Sequence, residues 1–294
     1  MKKILIDTDI GDDIDDALAI AYALNSKSIE VVGITTAFRN VEARSQLVMQ
    51  QLSIFGHSHI PVSKGIGKPF IEPVNVEDTP KYKDLTLTKN ELNCSMHAVD
   101  FIIESVKRYP DLIIAALAPL TNIACAIRKA PEIMCNADIW MMGGMYTEAY
   151  PEWNIQCDPE AAAIVLEGCR NVKMVGLDVT LRCRMTQQQV DALCNTESDE
   201  SQFLYKWIKM WMDTSGHLPI LHDPLVMASI ENPKIISLEP KQIMVECAGN
   251  YSRGITIEKT DPFQCGTQSP NVLMAVDVDA DTFMRMFLST VFPC

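Results

Sequence analysis

Ten residues near the start of the chain, Asp7-Thr8-Asp9-Ile10-Gly11-Asp12-Asp13-Ile14-Asp15-Asp16, hold six carboxylates. Charges of one sign repel, and such a run is ordinarily a solvated face or a capped helix end with charge for solubility. Here it lies between the apolar run Ile4-Leu5-Ile6 and the alanine-rich Ala17-Leu18-Ala19-Ile20-Ala21. That is a strand followed by a helix, and both belong to a core. Ligands in open α/β sheets bind beyond the carboxyl ends of strands, so these acids fall where an active face is expected. Asp7 and Asp9, two apart in an extended chain, point the same way. Asp15 and Asp16 open the helix, at the positive end of its dipole. A donor set made only of oxygen suits a hard cation, Ca²⁺ or Mg²⁺.

Two further polar clusters could complete a site. Glu152-Trp153-Asn154 follows the Gly143-Gly144 turn. In an extended segment Glu152 and Asn154 face one side with Trp153 opposite or lidding them, and a carboxylate beside an amide suits sugar hydroxyls. His222-Asp223-Pro224 precedes the helical Leu225-Val226-Met227-Ala228. Asp223 there is either an N-cap beside a satisfied histidine or the residue that completes the cation's shell, with His222 as proton donor or acceptor. His57 and His59 have an H-x-H spacing but lack nearby ligands and read as surface residues.

The elements that must position these groups alternate. Ile29 to Thr35 reads as a buried parallel strand and Val41 to Phe55 as a helix. Leu112 to Leu117 is a strand, Leu120 to Ile127 a helix, and Ile139 to Met142 a strand. Pro159 to Ala163 starts a helix with proline in its first turn, and Val172 to Asp178 reads as one more strand. The expected fold is a single α/β domain over residues 1–294, with a mostly parallel central sheet and helices on both faces. Between Pro69 and Asn93 the polar sequence suggests a surface excursion near the site. Helical patterns run from Gln187 to Met212, where Trp207 and Trp211 share one face as core or subunit contact.

Of 294 residues, 48% are hydrophobic, enough for a sizeable core. A formal net charge of -13 argues against nucleic-acid or anionic-membrane partners, which need a basic patch. No apolar run reaches the length of a membrane span, and Met1-Lys2-Lys3 leads directly into a strand, so a cytoplasmic protein is expected. Ten cysteines without any C-x-x-C pair read mostly as buried small residues in a reducing compartment.

These clusters, in this order, resemble the inosine-uridine-preferring nucleoside hydrolase family across nearly the whole chain. The resemblance rests on Asp7-Thr8-Asp9, Asp15-Asp16-Ala17-Leu18-Ala19, Ala118-Pro119-Leu120-Thr121-Asn122-Ile123-Ala124 (compare G-P-L-T-N-[IL]-A), Gly143-Gly144, Glu152-Trp153-Asn154 (compare E-F-N) and His222-Asp223-Pro224. Ser252-Arg253-Gly254 and Pro270-Asn271-Val272 also look familial. The resemblance implies hydrolysis of the N-glycosidic bond of a ribonucleoside through an oxocarbenium-like state, with Ca²⁺ as cofactor. It places Asp9, Asp16, Asp223 and the backbone carbonyl of Leu117 on the metal, and Asp15, Glu152 and Asn154 on the ribose hydroxyls. Asp9 doubles as general base for a calcium-bound water, and His222 is the acid that helps the base depart. A homodimer or homotetramer is implied as well.

The chain departs from the family pattern in three places. Gly11-Asp12-Asp13-Ile14-Asp15-Asp16 is two residues longer than the usual G-x-D-D opening, Tyr146 stands where an Asn is usual, and no H-G-x-D-G lies between Pro69 and Val99, only His97. These changes favour a bulkier modified nucleoside, such as queuosine or a nucleotide form of it. Two rival readings carry less of the sequence. A haloacid-dehalogenase-like phosphatase shares strand-D-x-D but wants Thr or Val where Gly11 stands, and a non-catalytic nucleoside- or calcium-binding member of the fold would explain the missing segments.

Overall fold

The computed structural model describes residues 1–78, 92–260 and 269–293. Eight strands form the main sheet: β1 (Lys2–Thr8), β2 (Ile29–Thr36), β3 (Val62–Lys64), β4 (Ile113–Ala116), β5 (Asp138–Met142), β6 (Val172–Val175), β7 (Ile236–Lys241) and, after the small ribbon β8 (Ile243–Val245) with β9 (Thr256–Glu258), β10 (Val272–Val278). Their spatial order is β3-β2-β1-β4-β5-β6-β10-β7. Every neighbouring pair is parallel except β10 with β7, an antiparallel edge. From β1 the chain builds outward to β3, then returns to the other side of β1 to lay down β4, β5 and β6. The order therefore reverses between β1 and β4, where the loops leaving two adjacent strands diverge and open a crevice.

Alternation along the strands divides the core. Ile4, Ile6, Ala115, Trp140 and Met142 pack on one face with the helices Asp15–Asn25, Val41–Ile54, His222–Glu231 and Ala280–Val291. Leu5, Ile114, Ala116, Ile139 and Met141 pack on the other with Ala98–Arg108, Thr121–Lys129 and Pro159–Gly168. Both faces of the central strands are buried, which is why they read as continuous apolar runs rather than alternating ones. Each fully buried Ile or Leu contributes roughly 2 kcal/mol of transfer free energy. The β1–β4 register, which sets Asp7 opposite Ala116, is thereby held from both sides.

The expected elements lie within two or three residues of those observed, with two exceptions. The segment Val172 to Asp178 is not one strand: β6 ends at Val175, and Leu177–Thr180 forms a helical turn. Glu152-Trp153-Asn154 is not extended either, because Glu152 caps the short helix Trp153–Cys157. Trp207 and Trp211 are buried on the helix Asp199–Ser215 and serve the core. Of the Pro69–Asn93 excursion, residues 79–91 lie outside those described. Among the described cysteines all are unpaired thiols, but only Cys169 and Cys183 are buried, so the buried reading of most is corrected. Their neighbours leave them at the margins of the core, where a small thiol is tolerated without being enclosed. No helix among the described residues is long and apolar enough to cross a membrane.

Candidate active site

The last turn of β1 carries the first part of the site. Thr8 donates its hydroxyl to the Asp16 carboxylate, and the Ile10 N–H returns to Thr8 Oγ1 at 3.1 Å. The end of the strand is thus tied to the first turn of the helix that follows. Asp7 sits below the site rather than in it. Its Oδ1 accepts from Thr35 Oγ1 at 2.5 Å and Asn122 Nδ2 at 2.8 Å, and burial pushes its carboxyl up to about 6. Asn122 also donates to the Thr36 carbonyl and accepts from the Ile66 N–H, so the L-T-N motif is a strut between β1, β2 and the loop after β3.

The longer acidic loop has its own support. Arg44, on the helix Val41–Ile54, is buried. Its guanidinium donates to the carbonyls of Phe38 (2.7 Å), Asp9 and Ile10 (2.9 Å), and to Asp12 Oδ2 at 2.8 Å. One side chain thereby fixes the loops after β1 and β2 together. Asp13 lines the cavity as well, while its Oδ1 accepts from the Ile14 N–H at 2.6 Å.

A cavity of about 570 Å³ opens at the switch point. That is within the usual range for a small-molecule site. Asp9, Asp15, Asp16, Leu117, Glu152, Asn154, His222 and Asp223 all line it, so the residues singled out in the sequence share one chamber. Asp15, Asp16 and Asp223 are buried and present oxygens within 4.8 Å of one another. Asp9 lines the same cavity but stands outside that closest group. Asp223 lies in the first turn of the helix His222–Glu231, whose N-cap is Leu221, so the capping reading of Asp223 is corrected. Its N–H instead donates to Asp15 Oδ2 at 3.3 Å.

Burial raises the carboxyls of Asp9, Asp15 and Asp223 well above the ordinary range, and like charges raise them further: Asp16 for Asp9, Asp13 and Asp16 for Asp15, Asp15 and Asp16 for Asp223. Asp16 is pushed up to about 7, again by burial first, despite the Thr8 hydrogen bond and the charge of Arg44. Four buried acids facing one buried arginine make an electrostatic deficit that a divalent cation would relieve. The donors are all oxygen, which fits a hard cation.

The far wall is built by the turn after β5. Gly144, at φ +78°, donates its N–H to Glu152 Oε2 at 3.0 Å, and the Asn154 and Ile155 N–H groups fill two more acceptor positions on that carboxylate at 3.0 and 3.1 Å. A carboxylate has about four acceptor sites, so one remains for a ligand hydroxyl. Asn154 Nδ2 donates to the carbonyls of Leu117 (2.8 Å) and Met142 (3.3 Å), which leaves its Oδ1 as the acceptor available to the cavity. A Cβ on Gly144 would lie 2.1 Å from Met174 Cε and 3.0 Å from Thr256 Oγ1. Gly144→Ala is accordingly expected to cost about 2 kcal/mol through left-handed strain and crowding, lowering the thermal midpoint by roughly 5 °C in calorimetry.

His222 stands across the cavity, its Nδ1 2.7 Å from Thr180 Oγ1. Burial, with the nearby charge of Arg184, pulls its imidazole down to about 4, so the ring is neutral near pH 7. His97 is elsewhere, capping the helix Ala98–Arg108. Tyr146 does not line the cavity; the Lys241 ammonium lies 4.8 Å from its ring centre. Arg253 and Asn271 are ties rather than site residues. Arg253 forks onto Glu160 at 2.7 and 2.9 Å, and Asn271 bonds the backbone of Ile243.

Sequence reasoning missed Arg39, Met142, Met145, Glu148, Tyr150, Leu177 and Leu181, which also line the cavity. Most come from loops without a period or motif. Met142, at the carboxyl end of β5, and Leu177, just after β6, offered a signal through their place on the active face.

An open parallel sheet with an acid-lined cavity at its switch point is the architecture of a small-molecule α/β enzyme. The chain matches the inosine-uridine preferring nucleoside hydrolase family over residues 4–285 and belongs to it. It is 30% identical to a probable uridine nucleosidase 2 of Arabidopsis thaliana, across 98% of this chain and 96% of that one. Among solved structures it resembles a purine-preferring ribonucleoside hydrolase from Gardnerella vaginalis (31% identity, TM-score 0.81, 99% and 98% of the two chains) and a plant nucleoside hydrolase (26% identity, TM-score 0.86, 100% and 99%). The chain is thus an N-glycosyl hydrolase of a metal-dependent family that acts on ribonucleosides, and the phosphatase reading of Asp7-Thr8-Asp9 is overturned.

Proposed function

We propose that this cavity hydrolyses a ribonucleoside to free base and ribose with Ca²⁺ held by Asp9, Asp16, Asp223 and the Leu117 carbonyl. The observation that carries the reading is the convergence of eight residues from four segments of the chain on one chamber. When bound, the cation supplies the positive charge that keeps these carboxylates ionised and makes a neighbouring water more acidic. Asp9, outside the tightest group of acids, takes the proton from that water. Asp15, the remaining position on Glu152 and Asn154 Oδ1 receive the ribose hydroxyls, and their negative charge favours an electron-poor sugar in the transition state. With Thr180 donating to Nδ1, the neutral His222 carries its proton on Nε2 and helps the base depart by donating that N–H as a hydrogen bond. The proton the base takes up then comes from solvent, since a neutral imidazole does not release its own near pH 7.

The base we infer is a bulky modified one such as that of queuosine. In support, the Tyr146 side chain leaves the wall free, and Tyr150 and Leu181 are both around half exposed at the rim. Free ribose is expected from a panel of inosine, uridine, cytidine and queuosine incubated with the calcium-loaded protein. Tight binding with no ribose from any of them would leave the non-catalytic reading instead. A cytoplasmic homodimer or homotetramer completes the proposal. Unpaired thiols suit a reducing compartment, and the exposed cross-strand pair Met244 and Ile257 offers apolar surface for association. Sedimentation as a monomer would remove the oligomer.

A further inference from the structure

Arg39 is the only arginine or lysine among the described residues lining the cavity. Its backbone is left-handed at φ 56°, directly after Phe38 at φ 63°. Two successive non-glycine residues in that region are strained, and such strain persists only where surrounding contacts impose it. Those contacts are present. The Phe38 and Arg39 N–H groups donate to the carbonyls of Ile66 (2.9 Å) and Gly67 (2.7 Å). Gly67 is required in turn, since a Cβ there would lie 2.4 Å from the Arg39 carbonyl oxygen.

The guanidinium is placed but not consumed. It lies 5.1 Å from the Phe38 ring centre and 5.8 Å from that of Trp153, at the half-exposed rim. Asp12 and Asp78 are each 4.0 Å away, and Asp12 is already engaged by Arg44 at 2.8 Å. Arg39 Nε is buried without a hydrogen-bond partner among the described residues. An arginine fork with unused donors matches a planar or tetrahedral oxyanion.

Its place along the sheet says which part of a substrate it meets. Arg39 follows β2, whereas His222 bonds Thr180 in the turn after β6. Leu177 and Leu181 line the cavity on the same side as Thr180, while the Arg39 fork lies over Trp153. On the proposed function, His222 marks the base and Glu152 with Asn154 the ribose between. The 5′ end of the sugar then points toward Arg39 and Trp153.

We propose that Arg39 is a specificity-determining residue that binds an anionic substituent at the ribose 5′ position, so that the site takes ribonucleosides carrying a 5′-phosphate in addition to, and more tightly than, the free nucleosides. The eight carboxylate side chains of the cavity wall repel such a group, and the fork at the rim offsets that repulsion where the phosphate stays partly hydrated. This rests on the glycosidase reading for its orientation.

The test uses the calcium-loaded full chain, Arg39→Gly and Arg39→Lys. Glycine suits the left-handed backbone, so folding is retained, and the lysine keeps the charge without the fork. Base release from inosine and uridine is compared with release from their 5′-monophosphates, and binding of ribose and ribose 5-phosphate is measured by calorimetry. The wild type is expected to bind ribose 5-phosphate at least tenfold more tightly than ribose. In Arg39→Gly the KM for the monophosphate should rise at least tenfold more than that for the nucleoside, with Arg39→Lys restoring part of the loss. Equal binding of the two sugars by the wild type, or equal KM changes on both substrates, would overturn the assignment. If no base is released from either substrate the glycosidase reading fails, and loss of ribose 5-phosphate binding in Arg39→Gly still decides the role of Arg39.

Discussion

Asp9→Ala is expected to lower kcat by at least about a thousand-fold while the protein still folds. A positioned general base contributes roughly 10²–10⁴ in rate, and Asp9 is also proposed to hold the cation, so the loss belongs at the upper end. The fold should survive because the Asp9 carboxylate makes no hydrogen bond to another side chain among the described residues, and Arg44, whose charge it favours, keeps Asp12 at 2.8 Å. The loop is fixed through Arg44 bonded to the Asp9 carbonyl, which alanine retains, and through Thr8 bonded to Asp16. Without metal the variant should melt no lower than the wild type, because burial and the charge of Asp16 both disfavour an ionised Asp9. Steady-state ribose release and a thermal melt check both halves. A variant that keeps a tenth of wild-type turnover would remove Asp9 from the reaction.

Removal of the metal should have the second largest effect, and it should invert the usual influence of pH. Asp16, ordinarily near 3.8, is pushed up to about 7 by burial, and Asp9, Asp15 and Asp223 move in the same direction. Between the two values the folded chain binds a proton that the unfolded chain has released. These acids therefore make stability fall as pH rises through about 4 to 7 and return on acidification until the unfolded carboxylates protonate too. His222, pulled down to about 4, acts the other way below its ordinary 6.5, and the four acids together outweigh it. A shift of three units corresponds to about 4 kcal/mol as an upper scale. The chelated protein is expected to melt higher at pH 5.5 than at pH 8. Calcium at a thousand times its dissociation constant should add about 4 kcal/mol at pH 8 and flatten the profile. Scanning calorimetry with and without chelator reads this directly, and a chelated protein that melts lower at pH 5.5 would contradict it.

The parts of the fold legible in the sequence were those with a period. Ile29–Thr36 and Val41–Ile54 announce themselves because buried parallel strands are apolar on both faces and helices repeat every 3.6 residues. The Glu152 turn did not, because an N-cap is extended at its own residue and helical at the next. The same held for Val172 to Asp178, where apolar residues continue past the end of the strand into a helical turn. At the site, the acids and the His-Asp pair were legible because buried charge is rare enough to stand out. Arg39 and Tyr150 were not, since nothing in a loop sequence says which way an exposed side chain turns. Arg44 was hidden differently: an arginine inside an amphipathic helix reads as surface, and here it is among the largest fully buried side chains.

That arginine constrains how the acidic opening can change. Shortening the loop by Asp12 and Asp13 would leave Arg44 with its three carbonyl partners but without the carboxylate opposite it. Replacing Arg44 alone would strand three carbonyls and leave Asp12 with Arg39 at 4.0 Å. Either half-step breaks a charged pair whose arginine is buried and whose Asp12 is partly exposed, so the loss stays below the roughly 3–5 kcal/mol of a fully buried pair. The long loop and its arginine therefore behave as one unit: a route between this opening and the shorter one has to exchange both together, or pass through a destabilised chain.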